Sequence, residues 1–118
     1  MLFLYTLHTT SKDWYPVFLE REKMLSVWNN SSLCEEVPHW NGEPLDDWFK
    51  DFEQNKLYIG RAYFSNNRFD FLAGRHRTRW LLQQGHKEVP ILMTSRSIVE
   101  AIEIGMFCSR AFDGMEIS

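Results

Sequence analysis

The chain has few of the features that identify a function directly. It contains only two cysteines, Cys34 and Cys108, which are far apart and form no CxxC pair. Neither has a histidine at zinc-finger spacing, so we expect reduced thiols and no tightly bound metal. No apolar run approaches the ~18 to 20 residues that span a bilayer. The apolar start from Met1 to Tyr5 follows no basic stretch, which argues against a signal peptide and favours a cytoplasmic protein without membrane contact.

An excess of positive charge is also missing. Thirteen Lys and Arg stand against 16 Asp and Glu, giving a net charge of −3. A basic nucleic-acid coat is therefore excluded, and any contact with nucleic acid has to be local. Aromatic residues, by contrast, reach 15% of the chain. They bury large areas per residue and allow 118 residues to form one domain, residues 1–118, around one core.

The hydrophobic patterning predicts an α+β fold, with a small mixed sheet and helices packed around it. Residues 43–55 have apolar positions at helical spacing behind Pro44, and an Asn-rich turn joins two strand-like runs into a hairpin. Residues 12–23 are predicted to be irregular with one short helical turn, and the tail after Cys108 to be weakly structured. The predicted strands are residues 2–10, 24–28, 57–64, 68–72 and 89–93, and the predicted helices are residues 43–55, 75–84 and 94–106.

The chemistry concentrates at Gly74, which separates a predicted strand from a predicted helix. Glycine permits a backbone angle or a close approach that other residues do not, and the first N–H groups of the helix then point at one spot that attracts anions. Arg75, His76, Arg77 and Arg79 follow. Cations at a helix N-terminus contradict the usual preference for acids there. Such a violation of a local rule often marks a binding site.

A structural interpretation of the same residues competes with this one. The arginines would then form a solvated helix face paired with Asp70 or Glu88, and His76 would pack beside Trp80. Asp70 precedes the turn and, with His76, is the candidate for a catalytic or orienting role. Strand alternation places Asp70 on the face opposite Phe69 and Phe71, which also suits an ordinary exposed strand residue.

The order of these residues resembles a known superfamily. Gly74-Arg75-His76-Arg77, a helix with Trp80-Leu81-Leu82, Gly85, and then Val89-Pro90-Ile91-Leu92 is similar to the ParB N-terminal and sulfiredoxin fold. The motif region covers residues 69–94. The resemblance implies a turn that binds nucleotide phosphate, with Gly74 as the turn glycine and His76 and Arg77 as the basic pair.

Departures from the superfamily narrow what the resemblance implies. Sulfiredoxins carry their catalytic cysteine where this chain has Arg75, so we do not expect peroxiredoxin repair. ParB proteins continue into a helix-turn-helix, which this sequence lacks, so we do not expect partition-site recognition. What remains resembles the stand-alone members of the superfamily, including the plasmid fertility-inhibition factors. That similarity implies ATP or CTP as ligand, Mg²⁺ with it, and ATPase or nuclease activity in some members.

A second hypothesis makes the chain a non-catalytic inhibitor of a host or competitor protein. Trp40 lies in a predicted loop beside the acidic pair Glu35 and Glu36, and such a surface suits a protein partner. Trp48 and Phe49, on a helical stripe, are predicted to be core residues instead.

Overall fold

The computed structural model describes residues 2–6, 13–28 and 56–117. The predicted helix at residues 43–55 and the candidate interface of Trp40, Glu35 and Glu36 lie outside these ranges. The strands are β1 (Leu2–Tyr5), β2 (Tyr15–Glu20), β3 (Lys56–Tyr58), β4 (Gly60–Ser65), β5 (Arg68–Ala73), β6 (Glu88–Met93), β7 (Phe107–Arg110) and β8 (Glu116–Ile117). The helices of the described ranges are α1 (Arg21–Trp28), α2 (Arg75–Gln83) and α3 (Ser95–Glu103).

Five of these strands form one mixed sheet in the order β5-β4-β6-β2-β7. Strands β4 and β6 run parallel, while the other neighbouring pairs are antiparallel. Ile91, Leu92 and Met93 are consecutive and all buried, because β6 is the central strand and both of its faces are covered. The predicted α+β class is confirmed, with one strand at 88–93 close to the predicted 89–93.

The other three strands form a small sheet in the order β3-β1-β8. Only Ile59 separates β3 from β4, and its N–H donates to the carbonyl oxygen of Tyr5 at 3.1 Å. The single strand predicted at residues 57–64 is therefore divided between two sheets. Leu4, Leu57 and Ile117 belong to the same hydrophobic core as the large sheet.

Within residues 13–28 the structure differs from the prediction in two places. Residues 15–20 form strand β2 rather than an irregular segment, and the predicted strand at 24–28 is part of helix α1. The Glu20 carboxylate explains the change, because it accepts hydrogen bonds from the backbone N–H groups of Glu22 at 3.1 Å and Lys23 at 2.7 Å. These bonds satisfy the free donors of the first helical turn. Met24 and Trp28, four residues apart, then both face the core.

The tail is also more ordered than predicted. Strand β7 pairs with β2 along the edge of the large sheet, and β8 pairs with β1 in the small one. The backbone N–H of Gly114 donates to the carbonyl oxygen of Leu4 at 2.7 Å, and the Asp113 carboxylate accepts from the N–H of Thr6 at 2.7 Å. Pairing with distant strands gives order to a segment whose own sequence predicts little.

The predicted hairpin is confirmed between β4 and β5. Asn66 and Asn67 have φ values of 54° and 60°, which is the left-handed pair that a tight two-residue turn requires. The register places Phe64 opposite Phe69, both buried, and Tyr63 opposite Asp70 on the other face. The predicted separation of Asp70 from Phe69 is therefore correct.

Helix α1 holds the C-terminal ends of the other two helices. The Arg21 guanidinium donates to the carbonyl oxygen of Leu82 in the last turn of α2. The Lys23 ammonium donates to the carbonyl oxygen of Ile104 at the end of α3, at 2.7 Å. Cations at helix C-termini satisfy free carbonyls and complement the negative end of the helix dipole.

Ser97 joins α3 to the part of β4 that has left its neighbour β6. Its hydroxyl accepts the N–H of Phe64 at 3.0 Å, and its own N–H donates to the side chain of the N-cap residue Thr94 at 3.2 Å. Ser97 is buried. The Ser97 hydroxyl thus completes the edge of a strand, while the backbone N–H of the same residue is capped by Thr94.

No helix of the described ranges is both long and apolar enough to span a bilayer.

Replacing Ser97 by alanine removes the acceptor of a buried backbone N–H. We expect Ser97→Ala to lower the free energy of unfolding by about 1 to 3 kcal/mol, the cost of leaving such a group unsatisfied. Ser95→Ala, at an exposed position of the same helix, should change it by no more than about 0.5 kcal/mol. Urea denaturation measures both, and equal effects would contradict the structural role of the Ser97 hydroxyl.

Candidate functional site

The corner between β5 and α2 is formed by a glycine in the left-handed conformation. Gly74 is the N-cap of α2 with φ 77° and ψ 18°. No side chain caps this end of α2, and its first turn contains no acidic residue. The helix dipole and the first N–H groups are therefore not complemented by a side chain of the helix itself.

Gly74 also lies against a second glycine. A β-carbon on Gly74 would be 2.5 Å from the Cα of Gly60, a separation that real β-carbons do not show. A β-carbon on Gly60 would be 2.8 Å from the hydroxyl of Thr78 and 3.1 Å from the carbonyl oxygen of Gly74. The first residue of β4 and the turn before α2 therefore pack backbone against backbone, which only glycine permits at both positions.

Thr78 fastens this contact. Its backbone N–H and its hydroxyl both donate to the carbonyl oxygen of Gly74, at 3.0 Å and 2.9 Å. The side chain is 1% exposed. Sequence reasoning identified Gly74 but missed Gly60 and Thr78. A glycine inside a strand pattern was the available signal for Gly60, because it often marks a close approach of two backbones.

Arg77 folds back over the corner. Its guanidinium nitrogen lies 3.4 Å from the position of a β-carbon on Gly74. In the described part of the chain, no hydrogen bond or ion pair is formed by the Arg77 guanidinium. Burial lowers the pKa of Arg77 from its ordinary value, although an arginine remains cationic at neutral pH. A desolvated cation without a carboxylate beside it is a favourable environment for a bound anion.

The other predicted basic residues occupy different environments. Arg75 is half-exposed and, with Gly74, lines a cavity of about 250 Å³ at the corner. Arg79 is only 8% exposed, so burial removes it from the surface that a large ligand can reach. His76 lies in the first turn of α2. The structure therefore brings Gly74, Arg75 and Arg77 together and buries Arg79.

Asp70 lies on the hairpin rather than at the turn. It is partly exposed and opposite Tyr63 in the ladder between β4 and β5. Among the described residues, no group of three or more His, Cys, Asp and Glu side chains could hold a metal ion. Asp70 is thus a single carboxylate near the corner, on the outer face of the sheet.

A larger cleft of about 530 Å³ lies at the other end of α2. It is lined by residues 84–88, Phe18, Ser109, Met115, Glu116 and Ile117. Burial, and then the charge of Arg21, lower the pKa of His86 there. Glu88 and Glu116 line this cleft beside Lys87, and a helix C-terminus offers carbonyl oxygens rather than the N–H donors that bind an anion. The smaller cavity at Gly74 is therefore the better anion site.

Gly74 is required both for its left-handed backbone and for its close approach to Gly60, and mutation can separate these two requirements. Gly85 also has positive φ, 86°, but an added β-carbon there would meet nothing within 4 Å. Gly85→Ala should therefore cost only the left-handed backbone, about 1 to 2 kcal/mol. Gly74→Ala adds the overlap with Gly60, so we expect a further loss of about 1 to 3 kcal/mol. Chemical denaturation measures the difference, and equal losses would contradict the close approach.

Comparison with known proteins assigns neither a family nor a function to the chain. The chain matches no family model, no curated protein and no solved structure. The superfamily resemblance of residues 69–94 remains a prediction from the sequence, and the function has to be argued from the corner itself.

Proposed function

We propose that the protein binds a phosphate group of a nucleotide or nucleic acid at the Gly74 corner. The observation that carries the proposal is Arg77, a half-buried cation folded over an uncapped helix N-terminus without a carboxylate partner in the described ranges. Arg75 adds a second basic residue, in the lining of the corner cavity.

Phosphate suits this arrangement for three reasons. Its oxygens accept the N–H groups of a helix N-terminus, its charge complements the positive end of the dipole, and a guanidinium can bind two of its oxygens at once. The approach of Gly60 to Gly74 holds the turn rigid, so little conformational entropy is lost on binding. ATP or CTP would fit as free ligands, with Mg²⁺ carried on the nucleotide phosphates.

The proposal concerns binding rather than catalysis. Hydrolysis of a phosphate ester needs a base or an oriented water in addition to charge stabilisation. Asp70 is the nearest candidate by sequence, but it lies on the hairpin opposite Tyr63 and is not among the residues that line the corner cavity. A role as a fertility-inhibition factor of a mobile element would extend this proposal and rests on the sequence resemblance alone.

Removal of the Arg77 guanidinium tests the site directly. We expect Arg77→Ala to weaken ATP or CTP binding about 10- to 100-fold, the value of one or two hydrogen bonds to a charged group. Isothermal calorimetry with and without Mg²⁺ measures this effect. Affinity should also fall with added salt, because the interaction is electrostatic.

A matched control is Arg110→Ala. Arg110 is an exposed arginine on β7 whose guanidinium lies 5.9 Å from the ring of Tyr15, away from α2. This variant removes the same charge from the whole protein and should leave nucleotide affinity within about twofold of wild type. Equal losses of affinity in both variants would show that the effect comes from net charge alone. Unchanged affinity in Arg77→Ala would contradict the proposed site.

A further inference from the structure

The outer face of the β4–β5 hairpin carries an aromatic and arginine surface that the proposed phosphate site does not use. The ring of Trp14 lies 5.2 Å from that of Tyr63, centroid to centroid, at an angle of 50°. The Arg61 guanidinium lies 5.2 Å from the centroid of the Trp14 ring. We call Trp14, Arg61 and Tyr63 the hairpin platform.

The platform combines a fixed part and an accessible part. Trp14 is partly buried and packs against the hydrophobic core, which holds its ring in place. Tyr63 is 46% exposed and Leu72, near the end of β5, is 49% exposed. An exposed ring held beside a fixed one presents a flat apolar face, and flat rings bind other flat rings well.

The hairpin platform leads directly to the Gly74 corner. Arg61 is the ladder partner of Ala73, the residue before Gly74. Strand geometry places Tyr63 roughly 11 Å from Gly74, about three residue steps along the strands and one strand across. This separation is within the span of a few nucleotides of one strand, which rises about 3.4 Å per nucleotide along its axis when stacked. One ligand can therefore contact both places.

The charges around the hairpin platform favour an anionic ligand. Arg61 and Arg68 lie on this face of the hairpin, and Arg75 lines the corner cavity. Two carboxylates border the same region. Asp13 accepts the N–H of Ser95 at 3.3 Å, and Asp70 lies opposite Tyr63. The protein as a whole is negative, so this local group of three arginines is distinct from its average surface.

We propose that the hairpin platform stacks the bases of a single-stranded nucleic acid whose backbone phosphate occupies the Gly74 corner. This inference rests on the proposed function and specifies its ligand. Exposed rings interleaved with arginines are the usual surface for single strands, because every base has a flat face while only unpaired bases can reach a ring. In a duplex the bases are stacked within the helix, so the rings have nothing to contact.

The test measures binding of a labelled oligothymidylate by fluorescence anisotropy to the full chain. Tyr63→Ala should weaken binding about 5- to 100-fold, since one stacked base is lost. Tyr63→Phe should bind within about threefold of wild type, because the ring remains. Tyr58→Ala is the matched control. Tyr58 is 39% exposed on β3 of the small sheet, and its loss should leave binding unchanged. Thermal melting shows which variants are folded.

Two results would overturn the hairpin platform. One is Tyr63→Ala binding the single strand as tightly as wild type, and the other is a blunt duplex binding as tightly as the oligothymidylate. ATP calorimetry on the same proteins separates this failure from that of the corner. If the wild type binds ATP but Tyr63→Ala does not change the affinity for the single strand, the corner is supported and the hairpin platform is contradicted. A wild type that binds the single strand through Tyr63, with an affinity that Arg77→Ala leaves unchanged, would keep the platform and contradict the corner.

Replacement of Asp70 should strengthen single-strand binding rather than weaken it. If phosphates pass over the hairpin face, Asp70→Asn removes a repulsive charge and should tighten single-strand binding about two- to fivefold at low salt, with the difference shrinking as salt is added. Glu103→Gln, an exposed acid on α3, should have no such effect. Unchanged or weaker binding in Asp70→Asn would contradict a ligand on this face.

Discussion

The contact between Gly60 and Gly74 is the constraint on which the arrangement of this protein depends. Gly60 begins β4 at the point where the chain leaves the small sheet, and Gly74 begins α2 at the end of β5. Because neither residue has a side chain, the two backbones touch, and Thr78 locks the contact through two hydrogen bonds to one carbonyl oxygen. The position of α2 against the large sheet and the opening of the corner cavity both follow from this approach.

The two ends of α2 differ in whether a side chain of the fold complements the helix dipole. Its C-terminal end is neutralised from within the fold, because the Arg21 guanidinium donates to the carbonyl oxygen of Leu82. Its N-terminal end has no capping side chain and is surrounded by arginines, of which Arg77 is half-buried and without an ion pair among the described residues. The positive end of the dipole and the desolvated guanidinium both favour an external anion. In contrast, α3 satisfies its own N-terminus through Thr94 and Ser97.

Local sequence signals predicted the parts of the fold that local physics determines. Asn66 and Asn67 indicated the hairpin, and the glycine at 74 indicated the start of α2, because both depend on backbone angles. Helix α1 escaped prediction since its cap is the Glu20 side chain, which is not a usual N-cap residue, and since a short helix depends on packing more than on periodicity. The burial of Arg79 and the role of Gly60 depend on which elements pack together. A local stretch of sequence therefore does not predict them.

The central claim is that the first turn of α2 binds phosphate, and amide chemical shifts in a titration with inorganic pyrophosphate measure it most directly. Backbone amides of residues 74–77 should shift in a saturable way, while those of residues 95–98, at the capped N-terminus of α3, stay in place. The comparison is internal to one sample, so ionic strength affects both helices alike. Absence of a shift at residues 74–77, or equal shifts at the two helix N-termini, would contradict the account.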